Sequence, residues 1–341
     1  MNIQHNISLS TLTTMRLGGE AAQLVEIHSP DEAHQAVLYA QQHGLAWYVL
    51  GGGSNTLAHD DGFAGLIILN KIPGFEVVEK SAASASIRVG GGESWDAVVQ
   101  RTVEMNLSGI ECLSAIPGTA GAAPVQNIGA YGQEVSTVIT QVDAYDAKND
   151  AFVQLSNADC EFSYRHSIFR GRETGRYIIT AVTMKLSTLP PEPPFYKAIE
   201  NYLGEHAIAA PTVQQLRDVV IAIRANKLPD PRTTPNTGSF FKNAIVPRET
   251  YERILASYPD MPHYDMPGGS VKIPTGWLIE QAELKGTLHR GMRVHTKNSL
   301  VLINESAKSY DDLASARQKI IDTVHRKFGI AIQQEPLEIN S

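Results

Sequence analysis

The stretch VLGGGSNTL, residues 49–57, places three consecutive glycines behind an apolar strand and ahead of Ser54 and Asn55. Lacking β-carbons, Gly51, Gly52 and Gly53 leave several backbone N–H groups unobstructed, a nest suited to a phosphate or pyrophosphate. A plain glycine-rich turn is the other reading of the same residues. The spacing is not the dinucleotide-binding fingerprint of the doubly wound fold. There is no GxGxxG, and HDDGF, residues 59–63, stands where the helix of that fold would begin.

Around this turn, from about residue 19 to about residue 69, the texture is α/β. DEAHQAVLYAQQHG predicts a short helix with Pro30 and Asp31 at its start, and AWYVL and LIILN predict strands. From residue 86 to 186 the pattern changes to α+β. SIRVGGG leads into a helix WDAVVQRTVEMN with Ser94 as its expected cap, and strands are predicted at VITQVDAYD, AFVQL and YIITAVTMKL. The proline-rich STLPPEPPF, residues 187–195, reads as a linker. Beyond it a Thr212/Gln215 capping box opens a helix with Leu216, Val219, Val220 and Ile223 on one face. TGWLIEQAEL and SYDDLASARQKIIDTVHRKFG predict two more helices, and SLVLIN and IAIQQEPLEI two more strands. The expected units are 1–70, 71–190 and 191–341, with the last strand packing near the first unit.

Between the helix and strands of the middle unit lies AIPGTAGAAPVQNIGAYG, residues 115–132, almost free of large side chains. A loop this long in a compact unit is usually functional, and one so poor in bulk lets a flat ligand lie against its backbone. It also carries hardly any charge, unlike disordered segments.

Composition bounds the function classes. The 341 residues are 43% hydrophobic and 19% charged, which is globular and long enough for two or three domains. No apolar run is long enough to span a membrane, and MNIQHNISLS resembles no secretory leader, so a cytoplasmic protein with no membrane partner is expected. The net charge of −7 argues against nucleic acid. Cys112 and Cys160 stand far apart without a Cys/His cluster, so no disulfide and no metal site is expected.

LGGGSN, IPGTAGAAPVQNIGAYG, FSYRHSIF, NKLPDP, GSFFKN and the terminal QEP occur in an order and spacing that resemble the UDP-N-acetylenolpyruvoylglucosamine reductase family over nearly the whole chain. The resemblance implies an α+β protein: a two-part FAD-binding unit of the vanillyl-alcohol-oxidase (PCMH) type and a C-terminal α+β substrate domain. It implies that NADPH reduces FAD, and that the reduced flavin passes a hydride to UDP-N-acetylglucosamine enolpyruvate, giving UDP-N-acetylmuramate for peptidoglycan. A monomer acting on a small-molecule nucleotide sugar is expected.

By the same resemblance, Gly51, Gly52, Gly53, Ser54 and Asn55 hold the FAD pyrophosphate. Pro117, Gly118, Gly121, Gln126, Asn127, Ile128 and Gly129 are flavin neighbours. Arg165 grips the substrate carboxylate through parallel hydrogen bonds, Glu335 is the carboxyl partner, and Ser239 donates the proton to carbon. Lys227 meets the diphosphate, Asn243 and Tyr164 are polar substrate contacts, and Tyr196 is the substrate-covering tyrosine of a type I enzyme. The chain departs from the pattern at Lys242–Ala244, where proline often follows the asparagine. Read without the resemblance, Ser239 behind Gly238 is a turn serine. An FAD-dependent alcohol oxidase and a non-catalytic nucleotide-sugar binder are the competing functions.

Overall fold

In the computed structural model, which describes residues 1–339, each of the expected helices forms, and for local reasons. The first unit contains β1 (Ile3–Ser8), β2 (Glu20–Ile27), α1 (Pro30–Gln42), β3 (Trp47–Leu50), β4 (Thr56–Ala58) and β5 (Phe63–Asn70). Ser29 accepts the Glu32 N–H at 3.2 Å and Pro30 occupies the first turn, so α1 starts where its orphan donors are satisfied. Its inward residues are small, Ala33, Ala36, Val37 and Ala40, which lets it lie close on Val25, Ile27, Leu66 and Ile68. The sheet runs β1-β2-β5-β3, with β2, β5 and β3 parallel.

The middle unit is antiparallel. It contains β6 (Phe75–Lys80), β7 (Ser84–Gly90), α2 (Trp95–Glu104), the two-residue strands β8 (Gly129–Ala130) and β9 (Gln133–Glu134), β10 (Ile139–Asp146), β11 (Ala151–Ser156) and β12 (Tyr177–Ser187). The sheet order is β11-β10-β12-β7-β6. Helix α2 and the 115–132 loop cover one face, and Trp95 is sealed there with its indole N–H on the Leu113 carbonyl at 3.0 Å. Ser94 stands at the N-cap position, but its side chain makes no capping bond. Its backbone is engaged instead in a bridge to Thr119, and Trp95 N–H goes to the Gly118 carbonyl at 3.1 Å.

Helices α3 (Lys197–Glu205) and α4 (Val213–Lys227) follow the proline segment. The Thr212/Gln215 capping box is present. Although the linker suggested that these helices belong to a unit 191–341, their apolar faces close over Cys112 of the middle unit. Ile199, Leu203, Leu216, Val219, Val220 and Ile223 form that cluster. The remaining elements are β13 (Asn236–Ser239), β14 (Ala244–Val246), α5 (Arg248–Leu255), β15 (Tyr264–Asp265), β16 (Val271–Ile273), α6 (Thr275–Gln281), β17 (Leu288–His289), β18 (Met292–Val294), β19 (Val301–Asn304), α7 (Tyr310–Phe328) and β20 (Leu337–Ile339). They make sheets β13-β19-β18-β17 and β14-β16-β15 around Phe240, Phe241, Leu278, Leu313 and Ile320.

The expected strand 330–339 is only partly a strand. Ile330 and Ile332 are buried in the third core, residues 333–335 bond to 240–242, and only 337–339 enters a sheet, parallel to β4 of the first unit. Pro336 has no N–H to carry a ladder across that change of partner. The crossing is held by Glu338. Its carboxylate accepts from Tyr310 Oη (2.6 Å), Arg317 Nη1 (2.6 Å) and Gln334 Nε2 (3.0 Å), and meets His59 Nε2 at 3.2 Å.

These donors overcome the effect of burial and hold the Glu338 carboxyl down at about 2, from an ordinary 4.5. A depressed carboxyl stabilises the fold fully above its unfolded value and loses that contribution as the pH falls through the folded one. Acid unfolding should therefore steepen between about pH 4.5 and 2. Glu338→Gln should flatten that limb and cost on the order of 1–3 kcal/mol at neutral pH. Denaturant melts at pH 7 and pH 3 check both effects, and a variant with the parent's pH dependence would contradict the assignment.

Candidate active site

The glycine turn and the 115–132 loop face each other across a groove lined by Tyr48, Val49, Trp95, Ile116, Val125, Ile128 and Leu337 together with residues 51–56 and 117–119. The two walls are in near contact. A β-carbon on Gly51 would lie 2.6 Å from Thr119 Oγ1, and one on Gly52 would lie 3.0 Å from Gly118 Cα. Gly53 has φ +62° and is pressed against the Leu12 carbonyl. The glycines are thus needed for the approach of one loop to the other, in addition to any ligand. Ser54 Oγ spans the gap to the Pro117 carbonyl at 3.1 Å, and the Asn55 amide N–H₂ bonds Gln126 Oε1. A groove with apolar walls and unobstructed backbone at one rim suits a flat aromatic cofactor carrying phosphates. A neighbouring recess shares Tyr48, Gly51 and Val125 and adds Gly121.

The groove opens into a cleft where distant parts of the chain meet. Its lining includes Ser54, Asn55, Gln126, Ile128, Gly129, Arg165, Arg224, Gly238, Ser239 and Glu335. Arg165 has φ +53°, a conformation costing about 1–3 kcal/mol for a residue with a side chain. Its guanidinium donates to the Gly129 carbonyl at 2.6 Å, and its Nε faces Glu335 Oε1 at 3.3 Å without forming a hydrogen bond. Glu335 is held opposite Ser239 because its N–H bonds the Phe240 carbonyl at 2.8 Å while Lys242 N–H bonds the Gln333 carbonyl at 2.9 Å. Among the described residues the Ser239 hydroxyl has no protein hydrogen-bond partner. Gly238, at φ +71° with open space around its α-carbon, leaves the cleft unobstructed beside it.

Burial pushes the Glu335 carboxyl up, against the pull of Arg165, Arg170 and Lys242. Lys242 is pushed down, first by burial and then by the two arginines. The cleft therefore holds a carboxyl biased toward its neutral form among cations. It can bind an anion and hold a proton within one small volume.

Residues 21–152 match the family described as FAD binding domain, and residues 230–339 match the UDP-N-acetylenolpyruvoylglucosamine reductase C-terminal domain. A protein of Ralstonia nicotianae named UDP-N-acetylenolpyruvoylglucosamine reductase is 40% identical over 329 residues, 96% of each chain. The chain belongs to the UDP-N-acetylenolpyruvoylglucosamine reductase family. The reductase of that name from Neisseria meningitidis serogroup B is also 40% identical, over 98% of this chain and 96% of its own. A crystal structure of a family member from Thermus caldophilus shares the fold over the full length of both chains, with TM-score 0.69 at 20% identity.

Of the residues that the reductase-family motifs single out, the structure gathers Ser239, Arg165, Glu335, Gln126, Ile128 and Gly129 around the cleft. Asn127 does not face it. It is fully buried with φ +47°, and its amide is used up by Glu134, the Ser163 carbonyl and the Ser136 N–H. Asn127 is a knot in the loop, tying the groove wall to the segment that carries Arg165.

Lys227 is exposed in the last turn of α4 and outside the cleft lining, whereas Arg224, one turn earlier, faces in beside Tyr131. Counting along that helix does not separate the two, since steps of three and four from Val220 reach both Arg224 and Lys227. Asn243 Oδ1 accepts the Thr275 N–H at 3.1 Å and its N–H reaches Tyr164 Oη at 3.3 Å, so its carbonyl is committed to the start of α6. Tyr196 is exposed, edge-on to Tyr131 and close to Tyr264, at the rim between the middle and third units.

If the groove between Gly52 and Gly118 holds the cofactor, Gly52→Val must part the two loops. We expect FAD affinity to fall about tenfold or more, equivalent to about 1.4 kcal/mol or more, read as flavin lost on dialysis. Unchanged retention would remove the groove from consideration.

Proposed function

We propose that the chain binds FAD in the groove and reduces UDP-N-acetylglucosamine enolpyruvate to UDP-N-acetylmuramate at the cleft, as a cytoplasmic monomer in peptidoglycan precursor synthesis. The observation that carries this reading is the convergence of Ser239, Arg165 and Glu335 at the mouth of the groove, in a chain of this family. In this reading residues 1–70 and 71–190 serve the cofactor and 191–341 serve the nucleotide sugar, with α3 and α4 as a brace between them. The family's chemistry favours this reductase over an alcohol oxidase, which has no use for a proton donor to carbon.

When bound, FAD, recharged by NADPH, supplies the hydride that adds to the terminal methylene carbon. The displaced electron pair collects on the ether-bearing carbon and its carboxylate. Arg165, already oriented by the Gly129 carbonyl, offers its remaining N–H groups to that carboxylate. Glu335 in its neutral form can donate to the same oxygens, a state that its burial favours. Ser239 then delivers its hydroxyl proton to the ether-bearing carbon, completing the lactyl group, and regains a proton from solvent. Its lack of a protein partner leaves the hydroxyl free to turn toward carbon. Arg224, Tyr164 and Tyr196 are the polar groups available to the nucleotide, and Asn243 contributes its amide N–H₂.

The test separates the two half-reactions. Purified protein should be yellow, bleach anaerobically with NADPH and recover its colour on adding the enolpyruvyl nucleotide. Recovery with oxygen alone would favour the oxidase, and a protein that takes up no flavin would favour a simple binder. Ser239→Ala should keep FAD and its reduction by NADPH while slowing reoxidation by the nucleotide roughly 10²–10⁴-fold. Ser239→Cys, which retains a transferable proton, should regain part of that loss. An alanine variant reoxidising at the parent rate in anaerobic rapid mixing would exclude Ser239 as donor.

A further inference from the structure

Arg170 lies five residues beyond Arg165 and belongs to none of the roles assigned above. Its Nη1 donates to Gln126 Oε1 at 3.2 Å and its Nη2 to the Glu335 carbonyl at 2.6 Å. The turn that carries it is fastened to the groove wall beside Gln126, since Ser167 Oγ bonds the Val125 carbonyl at 2.6 Å and accepts the Phe169 N–H. We propose that Arg170 is the positioning residue of the site, one guanidinium whose fork sets both the amide of Gln126 and the main chain of Glu335.

The amide of Gln126 is where this matters. Two donors, Arg170 Nη1 and Asn55 Nδ2, converge on its oxygen and fill both lone pairs. The amide cannot turn over without facing donor against donor, so its NH₂ is committed to the opposite side. Gln126 lines both the groove and the cleft. The geometry therefore presents a fixed hydrogen-bond donor at the junction, suited to an acceptor on the edge of the flavin ring. Arginine suits the task because a lysine ammonium, a point charge, cannot hold two acceptors in one plane. The guanidinium forms no ion pair with a carboxylate among the described residues. Its charge is left to act on Glu335 together with Arg165 and Lys242, with Tyr48 beside Arg170 and Tyr164 beside Glu335 as the other titratable groups.

This inference rests on the FAD reading. If the parent protein takes up no flavin, that reading fails; if the parent binds FAD and the variants behave like it, only the role of Arg170 fails. Arg170→Met and Gln126→Met should each weaken FAD binding about tenfold by fluorescence titration of the deflavinated protein. The double variant should be no weaker than the worse single one, because both remove the same donor. Losses that multiply would show that Arg170 does not act through Gln126. In the reoxidation half-reaction, Arg170→Met should also move the pH dependence set by Glu335 to higher pH, since a cation favouring the carboxylate has gone. Arg170→Lys should restore that pH dependence but not the FAD affinity. Should the methionine variant fail to fold, the lysine variant still decides: parent-like FAD affinity with lysine at 170 would overturn the positioning role.

Discussion

The two hydrogen bonds that lay residues 333–335 antiparallel to 240–242 are the constraint on which the cleft depends. Ser239 and Glu335 are almost a hundred residues apart, and this short pairing puts them on one rim. It is too small to persist alone. Phe240 and Phe241, both almost fully buried and packed edge-on at 5.1 Å, anchor one side. Ile330 and Ile332 anchor the other. Side chains of this size contribute roughly 1.5–3 kcal/mol each on burial, enough to hold a two-bond bridge in register. The aromatic pair after Gly-Ser thus sets the position of the serine by filling the core behind it.

The same logic joins the cofactor side to the substrate side. Thr14 accepts the Asn236 N–H on its carbonyl and donates its own N–H to the Gly53 carbonyl at 3.1 Å, so the glycine turn and the strand ending in Ser239 share one residue as a clamp. On the opposite flank Asp96 accepts the Ala115 N–H at 2.6 Å and a forked pair of bonds from Arg217 at 2.7 and 3.0 Å. That tie fixes the start of the loop to α4, the helix that carries Arg224. Groove and cleft are therefore walls of one frame braced at both ends, which favours the preorganised donors that charge development in a transition state requires.

Electrostatically, the site reverses the character of the whole chain. A protein of net charge −7 gathers Arg165, Arg170 and Lys242 around the buried carboxyl of Glu335. Burial lowers the affinity of Arg170 and Lys242 for their protons, and the repulsion among Arg165, Arg170 and Lys242 lowers it further. An anion placed among these groups offsets that mutual repulsion.

Much of the protein was legible from the order of its residues. Helix α1 follows from Ser29, Pro30 and a period of small apolar residues, α4 from the Thr212/Gln215 box, and the absence of a dinucleotide fingerprint from the spacing after Gly53. The motifs around Arg165, Ser239 and Glu335 stood out through their resemblance to the reductase family, whereas the local reading of Gly238-Ser239 alone is a turn. The helix starts and the missing fingerprint are determined by sequence alone because each depends on neighbours within a few residues. Tertiary structure alone decided the rest. It spent the Asn127 amide inside the loop, turned Lys227 outward and Arg224 inward, seated α3 and α4 on the middle unit, and split the final strand between two partners. Each of those outcomes depends on which distant surface the fold brings within hydrogen-bond or packing range, and no local pattern in a chain encodes that distance.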